Sequence, residues 1–394
     1  MYFSPILTYT ELWLLGAAAV CVLLVAAIYF FRVRTVAEYR RRADRERPDK
    51  PDADFLPASV IVYSQGDAEN LTELLQALLN QKYPAAFEIV VVNEGESADV
   101  RDVVSMLRAS NPNLYLTFTP DGVVSLSRKK LALTLGIKAA RYDVVVLTTT
   151  GAIIQSPLWL RNMMAPFDAD NNVEVVLGFA CVDPEEDDAW GKRRRAYDYA
   201  AENTRWLATA IAGHPFRGTE FNLAYRKDLF FRNKGFASNL NLNYGDDDVF
   251  ISRIANGKNT RVELSEESIV RVRHGNHPRL FRERVLRRCV TESLIRRRPR
   301  FLFPLAGWLQ IAALACAVVA AVLAWPNLQA AIIGLVLVVS MLVMDAMVWR
   351  KVLIALKCRR MLFTIPWYTV TYPLRRLGVA IRARLGHQKK YTWE

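Results

Sequence analysis

No two of the five cysteines are spaced as a metal or redox pair, and only four histidines occur in 394 residues. Cys21, Cys181, Cys289, Cys316 and Cys358 therefore read as reduced and structural, which excludes a disulfide framework. His274 and His277 are the one close histidine pair and leave a small metal site as an option. There is no repeat with a period of about 20 to 50 residues and no low-complexity tract, so the chain is not a solenoid. No Lys or Arg precedes the first apolar run and no A-x-A site follows it. Both absences argue against a cleaved signal peptide and for a retained anchor.

Charge is also missing from two long stretches. Leu12 to Phe31 is an uncharged run of 20 residues, the length a helix needs to cross about 30 Å of hydrocarbon. Phe301 to Met344 is a second such run, interrupted at Trp325-Pro326-Asn327. The sequence thus predicts transmembrane helices at 12–31, 301–325 and 328–349. Cations gather just inside these spans: Arg32 to Lys50 after the first, Arg296 to Arg300 before the hairpin, Arg350 to Arg360 after it. By the positive-inside rule, residues 1–11 lie outside, and 32–300 and 350–394 lie in the cytoplasm. This is a multi-pass protein of the inner, cytoplasmic membrane. Basic flanks beside anionic headgroups account for the net charge of +13 without a nucleic-acid partner.

Between the spans the pattern is that of a soluble domain. Residues 32–54 form a basic juxtamembrane linker, and the domain itself covers 55–272. Short apolar strands (Ser59–Tyr63, Phe87–Val92, Leu114–Thr119, Asp143–Thr148) alternate with amphipathic helices at Glu69–Asn80, Asp99–Arg108 and Ser127–Ala140. Such alternation predicts an α/β fold with a mostly parallel central sheet covered on both faces. Ligands of these sheets sit at the carboxyl ends of the strands, here Ser64–Asp67, Asn93–Glu96 and Thr148–Gly151. Beyond Val173, a strand is expected within Glu174–Phe179, an acidic loop at Asp183–Asp188, a helix at Trp190–Ala212 and a strand over Val262–Val272. Residues 273–300 form a basic interfacial helix, with eleven arginines between Arg271 and Arg300. In the tail, Met361 to Leu374 is apolar and aromatic but too short to span, and reads as an interfacial segment flanked by Arg375 and Arg376.

Asp246, Asp247 and Asp248 stand in a row after Gly245 and before the helix-like run Val249–Ala255. Two readings are open. Acidic residues at a helix start cap N–H groups and complement the dipole. Crowded carboxylates also raise one another's pKa toward the range of a general base. One Asp suffices for a cap, and three exceed that need.

Taken together, these segments resemble the family 2 glycosyltransferases, membrane-anchored enzymes with the GT-A nucleotide-sugar fold, a Rossmann-like domain. The resemblance runs over about residues 57–290. It rests on Ser59-Val-Ile-Val with Asp67-Ala-Glu-Asn-Leu71, Leu78-Leu-Asn-Gln-Lys-Tyr-Pro84, Glu88-Ile-Val-Val-Val-Asn93, Lys129 to Ala139, Phe221 to Lys227 and Gly245 to Asp248. It implies that Ser64, Asp67 and Glu94 hold the nucleotide. It makes Asp247 the base that activates the acceptor hydroxyl, with Asp246 and Asp248 keeping its proton affinity high. Lys130 and Thr149 join the implied nucleotide-sugar set.

Three departures from the family pattern stand out. The Asp-x-Asp pair that holds Mg²⁺ or Mn²⁺ is replaced by Thr149-Thr150-Gly151, so the usual metal ligands are missing and the need for a divalent cofactor, Mg²⁺ or Mn²⁺, stays open. The first turn carries Gly66-Asp67 in place of Asn-Glu. The Gln-x-x-Arg-Trp of polymerising members becomes Arg284-Val-Leu-Arg287-Arg288, without the stacking Trp, which argues against a polymerising synthase. Lys129, Lys130, Arg284, Arg287 and Arg288 are candidates for meeting the diphosphate, or the acceptor, without metal. The alternative for them is a solvated lysine face and lipid-bound arginines. The expected activity is transfer of one sugar from a nucleotide sugar to a membrane-held, lipid-linked glycan acceptor, with inversion, in cell-envelope polysaccharide synthesis. A catalytically inactive, membrane-bound scaffold for an active transferase is the alternative.

Overall fold

A computed structural model describes residues 7–45, 50–120, 127–168, 172–182, 190–240, 242, 245–273, 277–295, 302–325, 328–358 and 361–386. The expectations for His274, the 183–188 loop, the turn at 326–327 and the arginines at 296–300 and 359–360 lie outside these residues. In chain order the helices and strands begin with α1 (Tyr9–Ile28), a π-helical turn (Tyr29–Val33) and α2 (Arg34–Arg45). Then follow β1 (Ala58–Ser64), α3 (Ala68–Leu79), β2 (Phe87–Asn93), α4 (Ala98–Arg108), β3 (Leu114–Phe118), α5 (Arg128–Ala139) and β4 (Val144–Thr149). Next are β5 (Ala152–Ile153), α6 (Trp159–Met164), β6 (Val175–Leu177), β7 (Ala180–Val182), α7 (Trp190–Ile211), β8 (Leu223–Arg226) and α8 (Lys227–Arg232). The chain continues with α9 (Val249–Ile254), β9 (Thr260–Val262), β10 (Val270–Val272), α10 (Pro278–Glu292), α11 (Leu302–Leu323), α12 (Leu328–Ala355) and α13 (Ile365–Gly386).

Two compact units result. One comprises Tyr39–Glu186, Thr209–Arg297 and Val379–Glu394, and it holds the α/β fold. Its main sheet has the order β3-β2-β1-β4-β8-β6-β9, parallel except where β8 runs against β4 and β6. Every residue of β1 and β4 is buried, as β-branched strands covered on both faces must be. Leu71, Leu74, Leu75 and Leu78 bury one face of α3. Helix α5 comes closer to the sheet at Gly136. A Cβ there would lie 2.7 Å from Val92 Cγ2 and 2.8 Å from Ile61 Cγ2, so only glycine fits.

Strand order runs outward from β1 to β2 and β3, then reverses to β4 on the other side of β1. The carboxyl ends diverge at that switch point and leave room for a ligand. The expected strand over Val262–Val272 divides into two. Thr260–Val262 joins β6 in the main sheet, and Val270–Val272 joins β5 and β7 in a second, three-stranded sheet, with a 3₁₀ turn at Glu266–Ser268 between them. Alternation specified the period of these residues but not their partners.

The other unit comprises Met1–Glu38, Asp187–Ala208 and Arg298–Gly378. Among the described residues three helices are long and apolar enough to cross a membrane: Tyr9–Arg45, Phe303–Leu323 and Leu328–Ala355. The first opens with a capping box, in which Thr8 N donates to Glu11 Oε2 at 3.1 Å and Thr8 Oγ1 accepts from Glu11 N at 3.4 Å. Small residues let the spans approach, with the Cα of Gly334 facing Ala317. A polar cluster is enclosed among them. Gln310 Nε2 donates to both oxygens of Asp345 at 2.9 Å and lies 3.0 Å from the Tyr29 hydroxyl, and Trp349 Nε1 donates to that hydroxyl at 3.3 Å.

Candidate active site

A cleft of about 710 Å³ opens at the carboxyl ends of β1 and β4. Tyr63, Gln65, Asp67, Glu94, Lys129, Thr149 and Glu220 line it on one side, with the aspartate triplet and α10 completing the wall. The chain enters the triplet through Gly245, whose φ of +103° turns the backbone in a way few other residues tolerate. Asp247 O then accepts from Gly218 N at 2.7 Å and ties the triplet to the loop before β8.

The three carboxylates have different partners. Asp248 caps α9, its Oδ1 accepting from Val249 N at 2.6 Å. Its Oδ2 accepts from Thr291 Oγ1 of α10 and lies 3.4 Å from Arg217 Nη2, all of them buried. Asp246 is 2.8 Å from Lys129 Nζ. Asp247 makes no side-chain hydrogen bond or ion pair with the described residues, and it is only partly buried, open to the cleft. Burial first, then the charges of Asp248 and Asp246, push its carboxyl well above the usual carboxylate range, with Lys129 opposing. Capping and pKa-raising thus both occur, on different residues of the triplet.

Lys129 is the connecting residue. Besides Asp246 it bonds Glu220, and it stands 5.8 Å above the Tyr63 ring. Burial works to lower its pKa, but Asp246 and Glu220 hold it above the ordinary lysine range. Burial works to raise Glu220, yet Lys129, followed by Arg287 and Arg284, brings it down to about 2. The cleft therefore contains one carboxylate held ionised and another held toward its acid form.

The remaining sequence candidates divide. Glu94 faces the cleft and accepts from the Tyr63 hydroxyl and from Gln65 Nε2 at 3.1 Å. Asp67 lines the cleft while capping α3 through Asn70 N at 3.2 Å. Thr149 Oγ1 accepts from Gly151 N at 3.1 Å, and both residues line the cleft. Arg284, Arg287 and Arg288 of α10 face it too, Arg287 pairing with Glu283 at 2.6 Å. Ser64 and Lys130 do not face it. Ser64 is fully buried at the end of β1, where Tyr63 and Gln65 take the exposed places. Lys130 is also fully buried, donating to Leu242 O at 2.9 Å and to Asn239 O beneath the loop that leads to the triplet. Burial lowers its pKa to about 8, against the pull of Asp246 and Asp248. Helical periodicity alone could not say which of two adjacent lysines points inward.

Sequence reasoning gave no role to Glu220, Tyr63 or Arg273, all of which line the cleft. The one available signal for Glu220 was its place two residues before Asn222. That asparagine is fully buried, donates to Phe179 O at 3.0 Å and Ser268 O at 2.8 Å, and accepts from Trp159 Nε1 at 3.0 Å. A residue next to such an anchor is held in place.

The model of glycosyl transferase family 21 matches residues 18–378, which is most of the chain. The chain belongs to glycosyl transferase family 21. The family 2-like glycosyltransferase expected from the motifs is thereby borne out, as is the GT-A fold expected with it. Over 127 residues, 32% of this chain, it is 23% identical to the hyaluronan synthase of Pasteurella multocida, of whose length the match covers 13%. The mannosyltransferase PcManGT from Pyrobaculum calidifontis, solved with GDP-Man and Mn²⁺, superposes with a TM-score of 0.56 at 20% identity, covering 94% of this chain and 100% of that one. That likeness establishes the fold.

The residues at the end of β4 in this family 21 chain do not fit a divalent cation. Mg²⁺ and Mn²⁺ take anionic or carbonyl oxygens and keep several waters. Here they would meet two threonine hydroxyls and a glycine, and the nearby carboxylates of Asp246 and Glu220 already share the Lys129 ammonium. Among the described residues no cluster of three or more His, Cys, Asp or Glu side chains could hold a metal.

Proposed function

We propose that this protein transfers one sugar from a nucleotide-sugar donor to a membrane-held, lipid-linked acceptor, with inversion and without an obligatory divalent cation. The observation that carries this reading is Asp247. Among the described residues it is the member of the triplet left without a side-chain partner, and it faces the cleft at the switch point. In the step it serves, an acceptor oxygen attacks the anomeric carbon from the side opposite the leaving group. The bond from that carbon to the diphosphate breaks, and its electron pair leaves with the nucleoside diphosphate. The hydroxyl proton passes to Asp247, whose raised proton affinity suits a base. Arg284, Arg287, Arg288 and Arg273 supply positive charge where the diphosphate's charge develops. Glu94 and Asp67, at the ends of the first two strands' turns, hold the ribose and base.

The three membrane-length helices and the cations beside them support a catalytic domain on the cytoplasmic face of the inner membrane, in cell-envelope glycan synthesis. The test is turnover by purified protein of a panel of nucleotide sugars with polyprenyl-linked acceptors, with and without Mn²⁺. Transfer in chelator with inverted product is the expected result. Donor binding without any transfer would favour the inactive scaffold, and retained configuration would remove the single displacement.

A further inference from the structure

Helix α13 and the first part of α7 bury two arginine–carboxylate pairs between them and leave several large apolar side chains of α13 outside. Arg375 Nε donates to Asp198 Oδ2 at 3.2 Å and its Nη2 to Oδ1, while Arg376 pairs with Glu202. Exposure decides what this means. The arginine side chains are each 22% exposed, and Asp198 and Glu202 are 13% and 8% exposed. On the same helix Trp367 is 61%, Leu374 53% and Leu377 45% exposed, with Phe363 at 93% in the turn before it. At about 100° per residue, Trp367, Leu374 and Leu377 fall within roughly 80° of one another and form one stripe. The two arginines that flank the expected interfacial segment are thus turned inward, and the face left over is apolar. A helix pair in water adopts the opposite arrangement.

The same unit shows at what level this pair sits. Pro373 of α13 packs on Gly307 of α11 so closely that a Cβ there would meet Pro373 Cγ. Gly307 is in the second turn of a membrane-length helix. Tyr197 of α7 packs on Trp349 of α12 with ring centroids 5.3 Å apart, and on Tyr368 of α13 at 5.7 Å. Trp190 lies 5.1 Å from Tyr368. Helix α13 is therefore joined to α11 through Pro373, and α7 to α12 through the rings of Tyr197 and Trp349, the residue type that collects at the boundary between lipid and water.

We infer that the outer stripe of α13 lies in lipid, so that α7 and α13 form a platform set into the membrane boundary beside the spans. The occupant of the stripe is the acyl and glycerol region of the bilayer. The buried ion pairs with Asp198 and Glu202 are what allow two arginines to be carried at that depth. This inference does not depend on the sugar-transfer reading.

The test uses the full chain in nanodiscs and compares wild type with Trp367→Phe, so that the difference spectrum isolates Trp367. A blue-shifted difference emission, lost in nanodiscs of bromine-labelled phospholipid and untouched by iodide, is the expected result. Red-shifted emission quenched by iodide would overturn the inference. So would emission insensitive to both quenchers, which would mean that protein, such as a second copy, covers the stripe. A second pair of variants checks the inside-out polarity. Leu374→Lys should weaken the fluorescence signature while leaving a folded chain, and Asp198→Leu should lower the melting temperature because it strands Arg375. Equal tolerance of both would also overturn it.

Discussion

Lys129 lies 2.8 Å from Asp246, and the same ammonium bonds Glu220. A cation of the protein's own therefore stands between two carboxylates that the cleft would otherwise offer to a metal. Because it is matched by two negative charges, Lys129 has little charge left for a diphosphate. In the proposed reaction that task is assigned to the arginines of α10.

Asp247→Asn should leave donor binding intact and lower transfer by roughly 10²–10⁴-fold, the usual contribution of a positioned base. Asp248→Asn should behave differently. It disturbs the cap of α9 and the bonds to Thr291 and Arg217, so it should lower thermal stability as well as rate. Titration calorimetry with nucleotide, transfer assays and melting curves on both variants separate the two effects. Asp247→Asn with wild-type transfer would remove the base assignment.

The pH profile of kcat/KM should rise through a pKa above the usual carboxylate range, because Asp247 acts unprotonated and its proton is held by burial and by two neighbouring charges. Asp246→Asn removes one of those charges, so the rising limb should move to lower pH. Lys129→Met removes the opposing cation and should move it higher. Opposite or absent shifts would show that another group sets the limb.

Chelation should leave transfer largely intact, since Thr149, Thr150 and Gly151 make a poor site for a hard cation. Arg284→Ala should instead lower kcat by about 10²-fold, as the loss of a donor to developing charge does elsewhere. Abolition of activity by EDTA, restored by Mn²⁺, would overturn the metal-free assignment.

Lys130→Met should destabilise the domain by about 1–3 kcal/mol, since it strands the carbonyls of Asn239 and Leu242. A pH signature should accompany the loss. The folded-state pKa of Lys130 is lowered to about 8, below that of the unfolded chain. Between these two values the unfolded state binds more protons, so wild-type stability from this group rises as pH rises. The gap in melting temperature between wild type and Lys130→Met should therefore widen above about pH 8. A constant gap would show that Lys130 titrates normally.

The amino-acid sequence by itself was enough for the membrane-length helices, the parallel strands, the end of the sheet at which the cleft opens and the family-like motifs. Each of these depends on local composition and period: twenty apolar residues make a membrane helix, and a β-branched run bounded by turns makes a buried strand. It was also enough to single out three adjacent aspartates as more than a cap. Tertiary structure decided which aspartate is which, because Asp246, Asp247 and Asp248 differ only in what reaches them, and Lys129, Thr291 and Arg217 arrive from positions 117, 43 and 31 residues away. It turned Lys130 away from the cleft and Lys129 into it, brought Glu220 in, and faced Arg375 and Arg376 inward. Periodicity reports how often a side chain points to one side; only packing selects the charge that meets it there.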